Sequence, residues 1–282
     1  MPIVISPTLR RLISKVFRTV FRSFFLGRLW GIDVFVHSTF FILLFFGYQE
    51  WVEARHLNLS YWVAFNKACN VIALICCIFG CVLLHEYGHA LTARRFGVGT
   101  KDITLLPIGG VARLESIPKR PREEMIVAIA GPAVNVVIVL ILLSIFGVSR
   151  FIDWEELSQH RGELVHRLMN WGGLLHSLMW ANIVMIIFNL IPAFPMDGGR
   201  VLRALLAMNM DRVKATDIAS WIGRILAIGL GIWGYSNGHY LLIFTALFVW
   251  IGATQEAAAV RYESQNPDPP PPPIAEPTTW TK

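Results

Sequence analysis

Residues 70–94 of the chain read NVIALICCIFGCVLLHEYGHALTAR, an apolar run that ends in two histidines and a glutamate. About 20 consecutive apolar residues cross a bilayer as one helix. Positions four apart lie on one helix face, so His85 and His89 present two imidazoles on the same side. Glu86 lies about 100° further round the helix. Polar groups are costly to bury in lipid without a partner, so the run predicts a helix that binds a cation.

The spacing is that of the H-E-x-x-H motif, in which two histidines bind Zn2+ and the glutamate accepts a proton from the attacking water. A pair of structural histidines beside an interfacial glutamate is the alternative interpretation. A hydrolytic zinc site also needs a third protein ligand. A metzincin-type histidine is absent, because Thr92 and Arg95 follow at the relevant positions. Asp197 is the best candidate for this ligand, and Glu115, in a basic surface segment, is the alternative.

Asp197 belongs to the stretch NLIPAFPMDGGR at 189–200. Pro192 and Pro195 are expected to break a membrane helix near its end, and the two glycines after Asp197 allow a sharp turn or a close backbone approach. A structural turn alone would not need a carboxylate at bilayer depth. The helices that carry His85 and Asp197 are expected to cross in the same direction, which allows their last turns to meet.

The composition predicts an all-α membrane protein. Of 282 residues, 55% are hydrophobic and 16% are charged, whereas soluble domains average about 25% charged residues. We predict about six transmembrane helices, near 34–52, 70–94, 123–147, 173–195, 217–235 and 238–258. A short β-hairpin is expected over 99–116, at the cytoplasmic face, because it combines β-branched residues with a Gly-Gly turn.

The positive charge of the chain, +6, is better explained by membrane orientation than by nucleic acid, so no nucleic-acid partner is expected. Most Lys and Arg residues fall on the side of the membrane that holds both termini. The positive-inside rule therefore predicts cytoplasmic termini, and the expected location is the inner (cell) membrane of a bacterium. The expected domains are a basic amphipathic segment at 1–33, a membrane domain at 34–260 and a disordered Pro-rich tail at 261–282.

Several stretches together resemble the site-2 protease family of intramembrane metalloproteases. They are HEYGH at 85–89, GPAVN at 131–135, NLIPAFPMDGGR at 189–200, LGRLWGIDVFVHS at 26–38 and LLPIGGVARL at 105–114. Their order and spacing agree with the family over roughly residues 26–260. The resemblance is to a compact form, and neither a PDZ-like insertion nor a CBS-like pair is expected.

The resemblance implies one Zn2+ per chain, held by His85, His89 and Asp197, with Glu86 as the catalytic base. It implies that Asn189, Pro192 and Pro195 contact substrate near the metal. Gly131 and Asn135 match a family motif: glycine allows close helix packing, and Asn135 is expected to face the site and to contribute to substrate binding. The hairpin at 99–116 would receive extended substrate.

The implied activity is hydrolysis of peptide bonds in or near transmembrane segments of membrane proteins, expected to be single-span, within the lipid bilayer. The oligomeric state is left open. Two rival functions remain. An ion-coupled transporter would place ionisable residues on several spans, whereas here they concentrate at two sites. A catalytically inactive membrane scaffold would not need Glu86 beside two histidines.

Overall fold

The computed structural model describes residues 23–107, 109–116, 118, 120–146 and 171–266. The chain divides into two compact units, one with residues up to 119 and 126–188, the other with residues 120–125 and from 189 onward. The basic amphipathic stretch before residue 23 and the polyproline tail after residue 266 lie outside the described residues, as do residues 147–170.

The first unit contains a four-stranded sheet with the order β1-β2-β3-β4. Its strands are β1 (Ser23–Leu29), β2 (Ile32–His37), β3 (Thr100–Leu106) and β4 (Gly109–Leu114). The β3–β4 pair confirms the predicted hairpin, and β2 and β3 pair in parallel. The β1–β2 hairpin was not predicted, because the residues of β1 were assigned to an amphipathic surface segment and most of β2 to the first predicted membrane span.

The prediction of a helix over residues 34–52 is wrong for its first half. Strand β2 occupies this part up to His37, a short 3-10 helix covers Ser38–Leu43, and helix α1 is only Leu44–His56. Hydropathy alone does not separate a buried apolar strand from a helix. The parallel pairing of Val34 and Val36 with β3 decides the outcome.

Three longer helices complete the first unit: α2 (Tyr61–Arg95), α3 (Pro121–Phe146) and α4 (Trp171–Leu190). The first turn of α3 and the last two residues of α4 belong to the second unit. Helix α2 begins earlier than predicted, where the hydroxyl of Ser60 accepts a hydrogen bond from the Val63 amide, which satisfies one of the unpaired donors of the first turn.

The sheet packs on the end of α2 that carries the histidines. Ile32, Val34 and Ile103 form a buried core with Tyr87 and Ala90 of the helix. The Tyr87 hydroxyl donates a hydrogen bond to the Leu29 carbonyl (3.0 Å). This contact fixes how far α2 is rotated about its axis, and therefore which way the side chains of the H-E-x-x-H motif point.

The second unit contains helices α5 (Asp197–Ala207), α6 (Arg212–Ser236) and α7 (Tyr240–Gln265). Helices α6 and α7 pack against each other across the turn that joins them, where Gly238 has a positive φ of 69°. Ala193 and Phe194 are buried against both helices. The structure therefore anchors the proline-containing segment before α5 on the α6–α7 pair.

The described residues include four helices long and apolar enough to cross a membrane, namely α2, α3, α6 and α7, and α4 has a shorter apolar stretch, Leu174–Leu190. The chain is therefore a mostly helical, multi-pass membrane protein with a small sheet. Six membrane-spanning helices are not confirmed, because the region predicted as the first span is split between a strand, a 3-10 helix and the 13-residue α1.

Candidate metal centre

His85 and His89 stand one turn apart on α2, as their spacing predicted. Their side chains are buried, with 5% and 4% of the residue surface exposed. The two Nε2 atoms are 3.1 Å apart, and the rings meet edge to face at 4.7 Å between centroids. The two ε nitrogens therefore approach a common point.

Hydrogen bonds on the far side of each ring decide which nitrogen carries the proton. Nδ1 of His89 is 2.7 Å from the carbonyl oxygen of Val127, which can only accept, so Nδ1 is the donor. Nδ1 of His85 is 2.9 Å from Oδ1 of Asn135, again an acceptor. Both rings in their neutral form therefore direct an Nε2 lone pair to the same point.

This arrangement fits a zinc ion. Two imidazole nitrogens bound to one tetrahedral zinc at ~2.05 Å are roughly 3.3 Å apart, close to the 3.1 Å between the Nε2 atoms. Partners on the outer nitrogens are the usual support of metal-bound histidines. Two neutral imidazole nitrogens at this separation are donors that suit zinc, so the donor set favours a metal over a pair of structural histidines.

Glycines bring α3 close to the histidines. A Cβ on Gly131 would lie against Nε2 of His89 and 2.7 Å from Nε2 of His85. A Cβ on Gly88 would lie 2.7 Å from the Ala130 carbonyl oxygen. Both positions require hydrogen as the side chain, so glycine in the GPAVN motif keeps the space beside the two ε nitrogens open.

Glu86 lies beside the histidine face of α2, as predicted, and its side chain is half-buried. It packs against strand β4: a Cβ on Gly110 would lie 2.6 Å from Cγ of Glu86 and 3.1 Å from its Oε1. The hairpin therefore limits where the carboxylate can swing.

The second unit holds Asp197 as the first residue of α5, after the non-helical residues 191–196. The predicted break by Pro192 and Pro195 is confirmed. Asp197 is buried (6% exposed), and Nη1 of Arg200 is 4.0 Å from its Oδ1. A carboxylate at a helix N-terminus is stabilised in its charged form by the helix dipole.

The glycines that follow Asp197 are required by the packing of the proline-containing segment. A Cβ on Gly198 would lie 2.5 Å from the Leu190 carbonyl oxygen, and one on Gly199 would lie 2.7 Å from the Phe194 nitrogen. The start of α5 is thus folded back onto residues 190–194. This close contact fixes the backbone on both sides of Asp197.

Other residues singled out in the sequence have different surroundings. Asn189 is half-buried, whereas Pro192 and Pro195 are exposed. Glu115, the alternative third ligand, is exposed, and its carboxylate packs over Gly99 at the end of the hairpin. This surface position supports Asp197 over Glu115.

Asn182 on α4 was missed by the sequence analysis. It is fully buried and its Oδ1 accepts a hydrogen bond from Nδ2 of Asn135 (3.2 Å). An asparagine inside an apolar membrane helix is itself a signal, since polar side chains there are rare and need partners. Asn135 is thereby identified as a hydrogen-bond partner of His85; its contact with substrate stays a prediction.

Comparison with known proteins agrees with this site. A model of peptidase family M50 matches residues 73–230, more than half of the chain. The chain is 37% identical over 239 residues to the zinc metalloprotease MJ0392 of Methanocaldococcus jannaschii, covering 85% of this chain and 62% of that protein. It is 28% identical over 181 residues to stage IV sporulation protein FB of Bacillus subtilis, covering 63% of this chain and 56% of that protein. It thus spans less than two thirds of either relative.

The solved structure of the site-2 protease from Methanocaldococcus jannaschii is also similar. Its TM-score is 0.55 at 36% sequence identity, over 84% of this chain and 95% of that chain. The histidine pair, the glutamate and the proline-containing segment all lie within or beside the matched regions. From the family match, the relatives and this fold, the chain belongs to peptidase family M50, the site-2 protease family.

Proposed function

We propose that the chain is an intramembrane zinc metalloprotease, which hydrolyses peptide bonds in or near the transmembrane segments of membrane-protein substrates. The observation that carries this proposal is the histidine pair with both Nδ1 atoms held by acceptors and both Nε2 atoms 3.1 Å apart. Glu86 on the same helix supplies the base that distinguishes a hydrolase from a simple metal-binding protein.

The proposed ligand set is His85, His89 and Asp197, with one zinc per chain. All three residues are buried and each offers one ligand atom. Three protein ligands are the usual set at a catalytic zinc, since one position must stay open for the reaction. Nitrogen and carboxylate donors suit zinc, and a relative at 37% identity is a zinc metalloprotease.

Zinc held by these residues would supply Lewis-acid chemistry, which would polarise the scissile carbonyl and make the attacking water more acidic. Glu86 accepts the proton of that water and returns it to the leaving amine as the peptide bond breaks. Asn135 and the Val127 carbonyl hold the two imidazoles in the tautomer that presents Nε2. Gly110 of β4 keeps the Glu86 carboxylate within a narrow range of positions.

The substrate must reach Glu86 in an extended conformation, because a helix hides its carbonyl groups in internal hydrogen bonds. Strand β4 ends the described sheet and lies against Glu86, so it can pair with an extended segment. Asn189, Pro192 and Pro195 are proposed to contact the substrate near the metal, with Asn135 facing the site. A single-span protein, unwound locally beside the bilayer, is the substrate class we expect.

The proposed location is the cell membrane of a bacterium, with both termini in the cytoplasm. The orientation is supported by the distribution of Lys and Arg residues, which concentrate in the segments assigned to the side of the termini. Fusions of a reporter enzyme to each terminus would test it: activity of both fusions on the outer side of the membrane would contradict this orientation.

Glu86→Gln tests the activity. Membrane proteins of cells that produce the native chain or the variant are compared by mass spectrometry, and zinc is measured in both purified proteins. We expect uncut single-span fragments to accumulate with the variant while each chain binds about one zinc. Glu115→Gln is the control and should cleave like the native chain. Unimpaired cleavage by zinc-loaded Glu86→Gln would rule out the proposed mechanism. A loss of cleavage in Glu115→Gln equal to that in Glu86→Gln would indicate Glu115, and not Asp197, as the third ligand.

A further inference from the structure

A chain of amide groups runs from His85 into the interior of the first unit. Nδ1 of His85 meets Oδ1 of Asn135 (2.9 Å), and Nδ2 of Asn135 donates to Oδ1 of Asn182 (3.2 Å). Nδ2 of Asn182 donates to the carbonyl oxygen of Leu178 (2.7 Å), one turn earlier on α4. Both asparagines are fully buried, so water does not compete for these bonds.

The donor and acceptor directions of this series of hydrogen bonds are fixed at the end furthest from His85. The Leu178 carbonyl can only accept, so Asn182 must turn its amide nitrogen towards it and its oxygen towards Asn135. Asn135 therefore meets only acceptors on the side of α4: the Asn182 oxygen and the sulfur of Met185, which is 3.6 Å from Nδ2 of Asn135. Asn135 therefore turns its nitrogen to α4 and its oxygen to His85.

Asn135 alone would not decide the proton position on His85. A carboxamide has similar oxygen and nitrogen ends, and a half-turn would offer a donor instead of an acceptor to Nδ1. His85 would then carry its proton on Nε2, the nitrogen that must hold a lone pair for zinc. The Leu178 carbonyl orients the Asn182 carboxamide, which in turn orients that of Asn135. This excludes the half-turn that would place the His85 proton on Nε2.

We propose that Asn182 is a positioning residue of the metal site: by orienting the Asn135 carboxamide, it holds His85 in the tautomer that binds zinc through Nε2. This inference rests on the proposed function, in that His85 is taken as a zinc ligand. Removal of an outer partner of a metal ligand typically costs about 10–100-fold in metal affinity. Asn182 acts on the ligand His85 only through Asn135, so we expect a loss of zinc affinity near the lower value.

The test measures zinc affinity of the full-length, detergent-purified chain by competition with a fluorescent chelator. Asn182→Leu keeps the volume but removes the acceptor, and should weaken zinc binding roughly tenfold. Asn182→Asp still accepts from Asn135 and should stay nearer the native affinity. Cys81→Ala is the matched control, because Cys81 is buried beside the Asn182 side chain, so its truncation changes the packing there and keeps both partners of the Asn135–Asn182 bond.

The second arm repeats Asn182→Leu in an Asn135→Asp background. A carboxylate accepts at both oxygens, so His85 then meets an acceptor whatever Asn182 does. The further change to Leu should alter the zinc affinity by less than about twofold, a strong departure from additivity. A tenfold loss in this background as well, or an equal loss in Cys81→Ala, would show that packing and not amide direction is responsible.

A third readout does not depend on any variant folding. NMR of the zinc-free native chain, labelled with 15N in histidine, should show the His85 proton on Nδ1; a proton on Nε2 would overturn the inference. Failure of the two proposals is distinguishable. A native chain that binds no zinc contradicts the proposed function, whereas native-like zinc affinity in Asn182→Leu contradicts the role of Asn182 alone.

Discussion

Gly131 lies against the imidazole of His89 with no room for a side chain between them. A Cβ built on Gly131 meets Nε2 of His89 and comes within 2.7 Å of Nε2 of His85, which are the two atoms that would bind zinc. The backbone of α3 is thus one wall of the metal site, and its distance from α2 is set by the absence of a single methyl group.

Gly131→Ala should therefore abolish tight zinc binding. The added methyl occupies the space that the two ε nitrogens face, so we expect an affinity loss of at least about 100-fold, the upper value for changes around metal ligands. Competition with a fluorescent chelator measures it. Gly80→Ala on α2 is the control: its Cβ would have no neighbour within 4 Å. Native zinc affinity in Gly131→Ala would show that α3 does not close the site.

Gly110→Ala should slow cleavage without removing zinc. Its methyl collides with Cγ of Glu86, so the carboxylate must shift, and misplacing a reacting group by about 1 Å costs roughly 100-fold in rate. The turnover number and the zinc content are measured together. Val111→Ala, at an exposed neighbouring position on β4, should keep the native rate. A Gly110→Ala variant with native turnover would argue against contact between the hairpin and the base.

Arg203→Met should destabilise the protein strongly. Arg203 is fully buried in the second unit, bonded through Nε to Glu124 (2.7 Å) and through Nη1 to Glu256 (2.5 Å), with its guanidinium 5.1 Å from the Phe194 ring centre. Removing one partner leaves buried charge uncompensated, which typically costs about 3–5 kcal/mol of unfolding free energy. Denaturant unfolding in detergent measures the change.

The control for Arg203 is Arg261→Ala. Arg261 pairs with Asp217 at 2.8 Å, but the two side chains are 58% and 31% exposed, so this pair should contribute less than about 1 kcal/mol. Equal losses in the two variants would mean that burial does not set the strength of these ion pairs. A small loss in Arg203→Met would show that the apolar replacement fills its site well.

Asn189→Ala tests the predicted substrate contact of the proline-containing segment. We expect KM to rise about tenfold, the equivalent of one lost hydrogen bond of about 1.4 kcal/mol, while zinc affinity stays native. The measurement is cleavage of a purified single-span substrate over a range of concentrations. Asn209→Ala, on an exposed residue after α5, serves as the control. An unchanged KM would remove Asn189 from the substrate site.

The local part of the site was predictable from the sequence because it depends on neighbours along the chain. Four-residue spacing places His85 and His89 on one face of any α-helix, and two prolines three positions apart, Pro192 and Pro195, strongly disfavour a continuing helix. The hairpin at 99–116 was likewise predicted from its residues. The prediction of the first span failed because apolar residues such as Val34 and Val36 suit a buried strand as well as a membrane helix. Only the pairing with β3 distinguishes the strand from the helix.

By itself, then, the sequence determined that two imidazoles and a carboxylate share one end of α2, and that Asp197 follows a broken helix. Only the tertiary structure decided which nitrogen of each ring is available for a metal. That choice depends on Val127, Asn135 and Asn182, which lie 38 to 97 positions from their histidines along the chain. Which ring nitrogen donates a hydrogen bond depends on the acceptor that packs against it, and the periodicity of a helix does not show which acceptor that is.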